Sequence, residues 1–120
     1  KRDGIEMEAG SNIWMEDSKS NANGGSGLNV TLDGSSIWTK NNSFRYNRHD
    51  GIEIAGLGGS GVVSIKDAKL ISNGGYGIAR VSKNTAADKT FSGVQQGVDK
   101  SNNTFDKNGK GTLSPIIRGF

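Results

Sequence analysis

The stretch Asn41–Ile54, NNSFRYNRHDGIEI, decides the fold. It holds Phe44, then Asn47 three residues on, then Gly51 four beyond that. Ile52-Glu53-Ile54 follows with period two, the pattern of a strand with one dry face. The same order recurs in AKLISNGGYGIARV, Ala68–Val81, and in NNTFDKN, Asn102–Asn108. Working outward, Gly-aliphatic pairs stand at Gly4-Ile5, Gly27-Leu28, Gly51-Ile52 and Gly77-Ile78, in steps of 23, 24 and 26 residues. Asn23, Asn47 and Asn73 each precede their glycine by four residues, and Asn108 precedes Gly111 by three. Three more columns move with the asparagines: Ser20/Phe44/Leu70/Phe105, Ile13/Ile37/Val63/Val98 and Asp17/Asn41/Asp67/Asn102. All four columns step by 24, 26 and 35 residues.

A repeat of this length marks a stacked architecture. Helical spacing is absent, and Gly and Asn are poor helix formers. Each unit reads as three short strands joined by bends. So small a unit hides its apolar face only by stacking on the next. The expectation is an all-β chain, a parallel β-solenoid of about five coils with neighbours ~4.8 Å apart. Ile5/Leu28/Ile52/Ile78 form one inward stack, Ile13/Ile37/Val63/Val98 a second and Phe44/Leu70/Phe105 a third. The column Asp17/Asn41/Asp67/Asn102 is expected at a left-handed bend, its side chains laddered from coil to coil. The glycine column is assigned dihedrals closed to other residues.

N-x-x-x-G-[ILV] followed by alternation, with a preceding [FL]-x-x-N, resembles the repeat of the pectate-lyase-like superfamily. The three stretches quoted above carry the likeness, which covers nearly the whole chain. It implies a single-stranded right-handed parallel β-helix with three short strands per coil. Polysaccharide lyases, glycoside hydrolases, alginate epimerases, phage tailspikes and surface adhesins share that repeat, so the resemblance implies fold before activity. The F-x-x-N elements are also similar to those of chlamydial polymorphic outer-membrane proteins. The G-H-G, R-I-K and D-P-H motifs of polygalacturonases and alginate epimerases are missing.

Composition fits the repeat. Gly 19, Asn 12 and Ser 14 make up more than a third of the 120 residues, which is bend chemistry once placed on a coil. Cys 0 excludes disulfides and a Cys-built zinc site. No apolar run is long enough for a membrane span, and no basic-then-apolar leader opens the chain. The net charge of +3 suits an acidic polysaccharide, and no basic-aromatic interleaving points to nucleic acid. Residues 1–120 read as one domain, a segment of a longer solenoid or one whose ends stack on partners.

In the resembled enzymes, substrate lies along the outside of the first strand. Outward positions there are Glu6, Asn29, Glu53 and Ala79. Asp3, Ser26, Asp50 and Tyr76 stand just before the glycines, with Arg48, His49 and Arg80 close by. Glu53, Asp50 and Glu6 are the candidate catalytic carboxylates, and Glu6 and Glu53 lie two coils apart, roughly 9.6 Å. That is the long end of an inverting glycosidase pair. Glu6, Asn29, His49, Asp50, Glu53 and Arg80 are the candidate polysaccharide ligands. Such carboxylates suit a calcium ion held against an acidic sugar, though no metal-ligand motif is present. An alternating strand with one wet face gives the same row without chemistry.

Trp14 and Trp38 share a column one coil apart and should point outward, as a sugar platform or under the tail residues Ile116, Ile117 and Phe120. The long bend 82–97 departs from the repeat and would overhang the groove. Asn29, Asn41 and Asn102 sit in N-x-[ST] sequons, and two of them fall in the expected ladder, where a glycan does not fit. The leading expectation is an extracellular or cell-surface module that recognises polysaccharide along the first strand. A structural adhesin or filament segment is the alternative, and part of a lyase, hydrolase or epimerase a further one.

Overall fold

The computed structural model describes residues 2–55, 61–81, 94–95, 102–115 and 120. In chain order the strands are β1 (Ile5–Met7), β2 (Asn12–Glu16), β3 (Leu28–Thr31), β4 (Ser35–Lys40), β5 (Ser43–Arg45), β6 (Ile52–Ala55), β7 (Gly61–Lys66), β8 (Lys69–Ile71), β9 (Tyr76–Arg80), β10 (Val94–Gln95), β11 (Thr104–Asp106) and β12 (Gly111–Leu113). No helix occurs among the described residues. Every strand pairing is parallel, in three sheets ordered β1-β3-β6-β9-β12, β10-β7-β4-β2 and β11-β8-β5. Neighbours in a sheet are therefore equivalent strands of successive repeats.

The registers match the sequence columns. Ile5, Leu28, Ile52 and Ile78 are successive partners in the first sheet. Ile13, Ile37 and Val63 are partners in the second, and Phe44, Leu70 and Phe105 in the third. Leu113 pairs with Ile78 and extends the first column, because Gly111 falls opposite Tyr76 rather than Gly77. Val94 and Gln95 pair with Gly61 and Val62, an offset of 33, whereas Val98 opposite Val63 would need 35. Val98 itself lies outside the described residues, as does the rest of the 82–97 bend. One apolar cluster draws on all three sheets, including Leu28, Val30, Ile37, Phe44, Ile54, Ile65 and Leu70. Burying such side chains contributes about 1.5–3 kcal/mol each.

Two bends differ from the sequence reading. Asp17, Asn41, Asp67 and Asn102 do take left-handed dihedrals, with φ of 52°, 55°, 51° and 53°. Their side chains, however, turn outward: Asp17, Asn41 and Asn102 are exposed and Asp67 is half-buried. Only Asn41 Nδ2 reaches Asp17 Oδ1, at 2.6 Å. The inward amides belong to the next residue, where Asn42 accepts from Ser18 N and donates to Met15 O. Asn103 repeats this on Ala68 N and Ile65 O. The sequons at Asn41 and Asn102 thus sit on the surface, not in a buried ladder. The buried ladder is the other asparagine column, with Nδ2-to-Oδ1 bonds from Asn23 to Asn47, Asn47 to Asn73 and Asn73 to Asn108 at 2.8–2.9 Å. The residue just before each of these, Ala22, Tyr46, Ser72 or Lys107, is also left-handed.

The glycine column also has a different cause. Among the described residues the positive-φ glycines are Gly10, Gly34 and Gly111, none of them in the column Gly4/Gly27/Gly51/Gly77. Gly27 and Gly51 are glycine for want of space. A Cβ on Gly51 would sit 2.6 Å from Gly77 O and 3.0 Å from Asn73 Nδ2. On Gly27 it would sit 2.7 Å from Gly51 O and 2.8 Å from Asn47 Nδ2. Each glycine lets the next repeat's backbone and the asparagine ladder close in.

Candidate functional site

The first sheet sets Glu6, Asn29, Glu53 and Ala79 in one register row. Their neighbours Met7, Val30 and Ile54 face the core, so alternation turns Glu6, Asn29 and Glu53 outward. Glu6 is exposed, Asn29 and Glu53 are half-buried, and Ala79 is buried. Along the row lie two shallow hollows. One of about 460 Å³ is lined by Glu6, Met7, Glu8, Asn29 and Thr31. The other, about 370 Å³, is lined by Arg2, Asp3, Gly4 and Glu6.

Beside this row runs a polar ladder built by the residues that precede the glycines. Asp3 Oδ1 accepts from Ser26 N at 2.6 Å, Ser26 Oγ from Asp50 N at 3.2 Å, and Asp50 Oδ1 from Tyr76 N at 2.7 Å. Ser26 Oγ donates onward to Glu53 Oε2 at 2.9 Å, and Asn29 Nδ2 donates to Asp3 Oδ2 at 3.0 Å. Gly25 and Gly75 make room for it, since a Cβ there would collide with Asp3 Oδ1 and Asp50 Oδ1. Asp50 and Glu53 are thus tied to the backbone and to a buried serine. The roles of Asp3 and Ser26 escaped the sequence reading. Their signal was the recurrence of Asp, Ser and Asp one residue before each glycine.

Burial holds the Asp50 carboxyl above its ordinary value of 3.8, against the lowering pull of the Tyr76 N–H, Lys110 and His49. Burial also raises Glu53 above 4.5, opposed by the Ser26 hydrogen bond and reinforced by the charges of Asp50 and Asp3. A carboxyl that holds its proton more tightly when folded stabilises fully below its unfolded pKa, and that contribution is lost as pH rises through the folded pKa. Glu53→Gln keeps an acceptor for Ser26 Oγ and removes the half-buried charge. Urea unfolding should therefore show this variant more stable than wild type at pH 7 and equal to it near pH 3. An equal or lower midpoint at pH 7 would contradict the assignment.

His49 is half-buried, and its main chain continues the ladder: His49 N donates to Gly25 O and Gly75 N to His49 O. A hollow of about 190 Å³ is lined by Arg48, His49, Asp50, Gly74, Gly75 and Lys110. Arg80 corrects the sequence reading. It pairs with Ile54, an inward position, and is 7% exposed. Its guanidinium donates to Ile54 O and Val81 O rather than lying on the outer face. Trp14 and Trp38 are register partners on the second sheet and are 71% and 44% exposed. Phe120 packs against the core, and Asn103 Nδ2 reaches its carbonyl. Ile116 and Ile117 lie outside the described residues. Among the described residues no group of three or more His, Asp or Glu side chains is placed to hold a metal ion.

Three parallel sheets of recurring short strands define an all-β repeat protein. A family model described as right handed beta helix region matches residues 1–108, and the chain belongs to that family. Comparison with curated proteins and with solved structures gives no match.

Proposed function

We propose that this chain is a module of an extracellular or cell-surface protein, wound as a solenoid of about five coils, that recognises polysaccharide along the outside of its first sheet. The observation that carries this reading is the outward row Glu6, Asn29 and Glu53, one side chain per strand, bordered by two open polar hollows. Strands ~4.8 Å apart offer equivalent groups at a spacing close to one sugar residue. Binding is favoured over catalysis because Asp50 and Glu53 are held by structural hydrogen bonds. The likeness to the pectate-lyase-like superfamily supports the same face.

Titration calorimetry against a panel of acidic and neutral polysaccharides tests the reading. Saturable binding to at least one polymer is expected, weakened about 10-fold in Glu6→Ala/Asn29→Ala, as the loss of two polar contacts implies. A structural segment is the competing reading, favoured by the stacking of equivalent strands in three parallel sheets. Heats indistinguishable from dilution across the whole panel would select it.

A further inference from the structure

The bend between the second and third sheets does not border the first, and it carries a repeated feature of its own. Successive repeats place Asp17, Asn41, Asp67 and Asn102 there, all left-handed. The residue two positions on follows the choice made at this one. Asp goes with lysine, in Asp17-Ser18-Lys19 and Asp67-Ala68-Lys69. Asn goes with a hydroxyl, in Asn41-Asn42-Ser43 and Asn102-Asn103-Thr104. Acid and amide both suit such a bend, so the bend does not explain the pairing. Both Asn triplets are the N-x-[ST] acceptor of N-linked glycosylation.

The fold presents the two triplets alike. Asn41 and Asn102 are exposed, while the middle amide turns inward, from Asn42 to Met15 O and from Asn103 to Ile65 O. Ser43 and Thr104 open β5 and β11 as register partners of Lys69. They precede the core residues Phe44 and Phe105, so alternation turns their hydroxyls outward. Asn41 Nδ2 donates to Asp17 Oδ1, and a glycosylated amide keeps one hydrogen for that bond. Beside Asn41 a polar hollow of about 400 Å³, with Lys19, Asn21, Arg45 and Lys69 in its wall, leaves room for a first sugar. The third sequon differs. Asn29 lies within β3, paired on both sides, is half-buried, and donates its Nδ2 to Asp3 Oδ2.

We propose that Asn41 and Asn102 are N-glycosylation acceptors. Transfer joins Nδ2 to C1 of an amino sugar carried on a lipid-linked diphosphate. The C1–O bond to that diphosphate breaks, the amide loses one proton and the diphosphate leaves. The inference rests on the extracellular placement proposed above. Glycans are bulky and belong on the surface, and at this bend they leave the first-sheet row clear.

The full chain, secreted from eukaryotic cells behind a cleavable leader, is mapped by peptide mass spectrometry before and after glycan release. Glycans are expected at Asn41 and Asn102, with Asn29 bare. Ser43→Ala should empty Asn41 alone and Thr104→Ala Asn102 alone, whereas Ser43→Thr should keep Asn41 occupied. Asn41→Asp, the residue type found at Asp17 and Asp67, should empty that site with the fold kept. The glycosylated protein should unfold in urea no earlier than Ser43→Ala/Thr104→Ala, because the sugars displace no packed group. A secreted chain bare at either Asn41 or Asn102 would overturn the proposal. So would a glycan at Asn29, or a midpoint lowered by glycosylation. The leader makes occupancy a readout of the acceptors alone, so a failed polysaccharide titration and a failed acceptor are told apart.

Discussion

Replacing Asn47 by alanine is expected to destabilise the protein by about 3–5 kcal/mol, against a whole-domain stability of about 5–15 kcal/mol. Asn47 is 2% exposed and its amide uses every hydrogen-bonding position it has. Oδ1 accepts from Asn23 N and Asn23 Nδ2, while Nδ2 donates to Ser20 O and Asn73 Oδ1. Alanine leaves Asn23 N and Ser20 O without this partner, while Asn23 Nδ2 keeps Ser20 Oγ and Asn73 Oδ1 keeps Asn47 N; each group left unsatisfied costs about 1–3 kcal/mol. The loss falls where three successive repeats join, so a lower urea midpoint should come with weaker hydrogen-exchange protection in β3, β6 and β9. Asn41→Gly is the contrast. Asn41 is exposed and left-handed, which glycine tolerates, so the midpoint should barely move. If Asn47→Ala and Asn41→Gly cost the same, the buried ladder is not what joins the repeats.

Gly51→Ala is expected to cost about 3 kcal/mol through overpacking. Its new methyl would meet Gly77 O at 2.6 Å, with Asn73 Nδ2 and Leu70 Cδ2 at 3.0 Å. A backbone carbonyl of the next repeat cannot rotate aside, so β6 and β9 must separate or the Asn47–Asn73 bond must lengthen. Gly10→Ala is the informative partner, because Gly10 has φ of +73° with nothing within 4 Å of the added methyl. Its cost is conformational alone, roughly 1 kcal/mol. Thermal or urea unfolding of the two variants separates strain of space from strain of dihedral. A Gly51→Ala midpoint no lower than that of Gly10→Ala would contradict the close approach.

The fold was largely legible because stacking forces equivalent residues into columns. Ile52, Phe44 and Leu70 appear in sequence at the steps that the sheets then realise as registers. What sequence left ambiguous was direction and cause. Asn41 and Asn42 are adjacent, and only the left-handed bend at Asn41 decides which amide turns inward. Gly51 is compatible with an unusual dihedral or a tight contact, and only the neighbouring Gly77 carbonyl distinguishes them. The site was less legible. Glu6, Asn29 and Glu53 stand outward as alternation reads them, whereas Arg80, named for its nearness to that face, occupies the next inward position of its strand. An arginine in an aliphatic column is invisible to a pattern that reads polar residues as outward. Asp50 is a candidate from its place just before Gly51, and its bond to Tyr76 N, from a repeat 26 residues away, emerges only in three dimensions.

We propose that polysaccharide lies along the outside of the first sheet. Backbone amide chemical shifts of the isotopically labelled chain, followed during titration with a polysaccharide fragment that calorimetry shows to bind, test it most directly. Saturating shifts at Glu6, Asn29 and Glu53, with those of the third sheet at Phe44 and Leu70 unmoved, are the predicted result. A fragment that binds while Glu6, Asn29 and Glu53 stay unperturbed would contradict it.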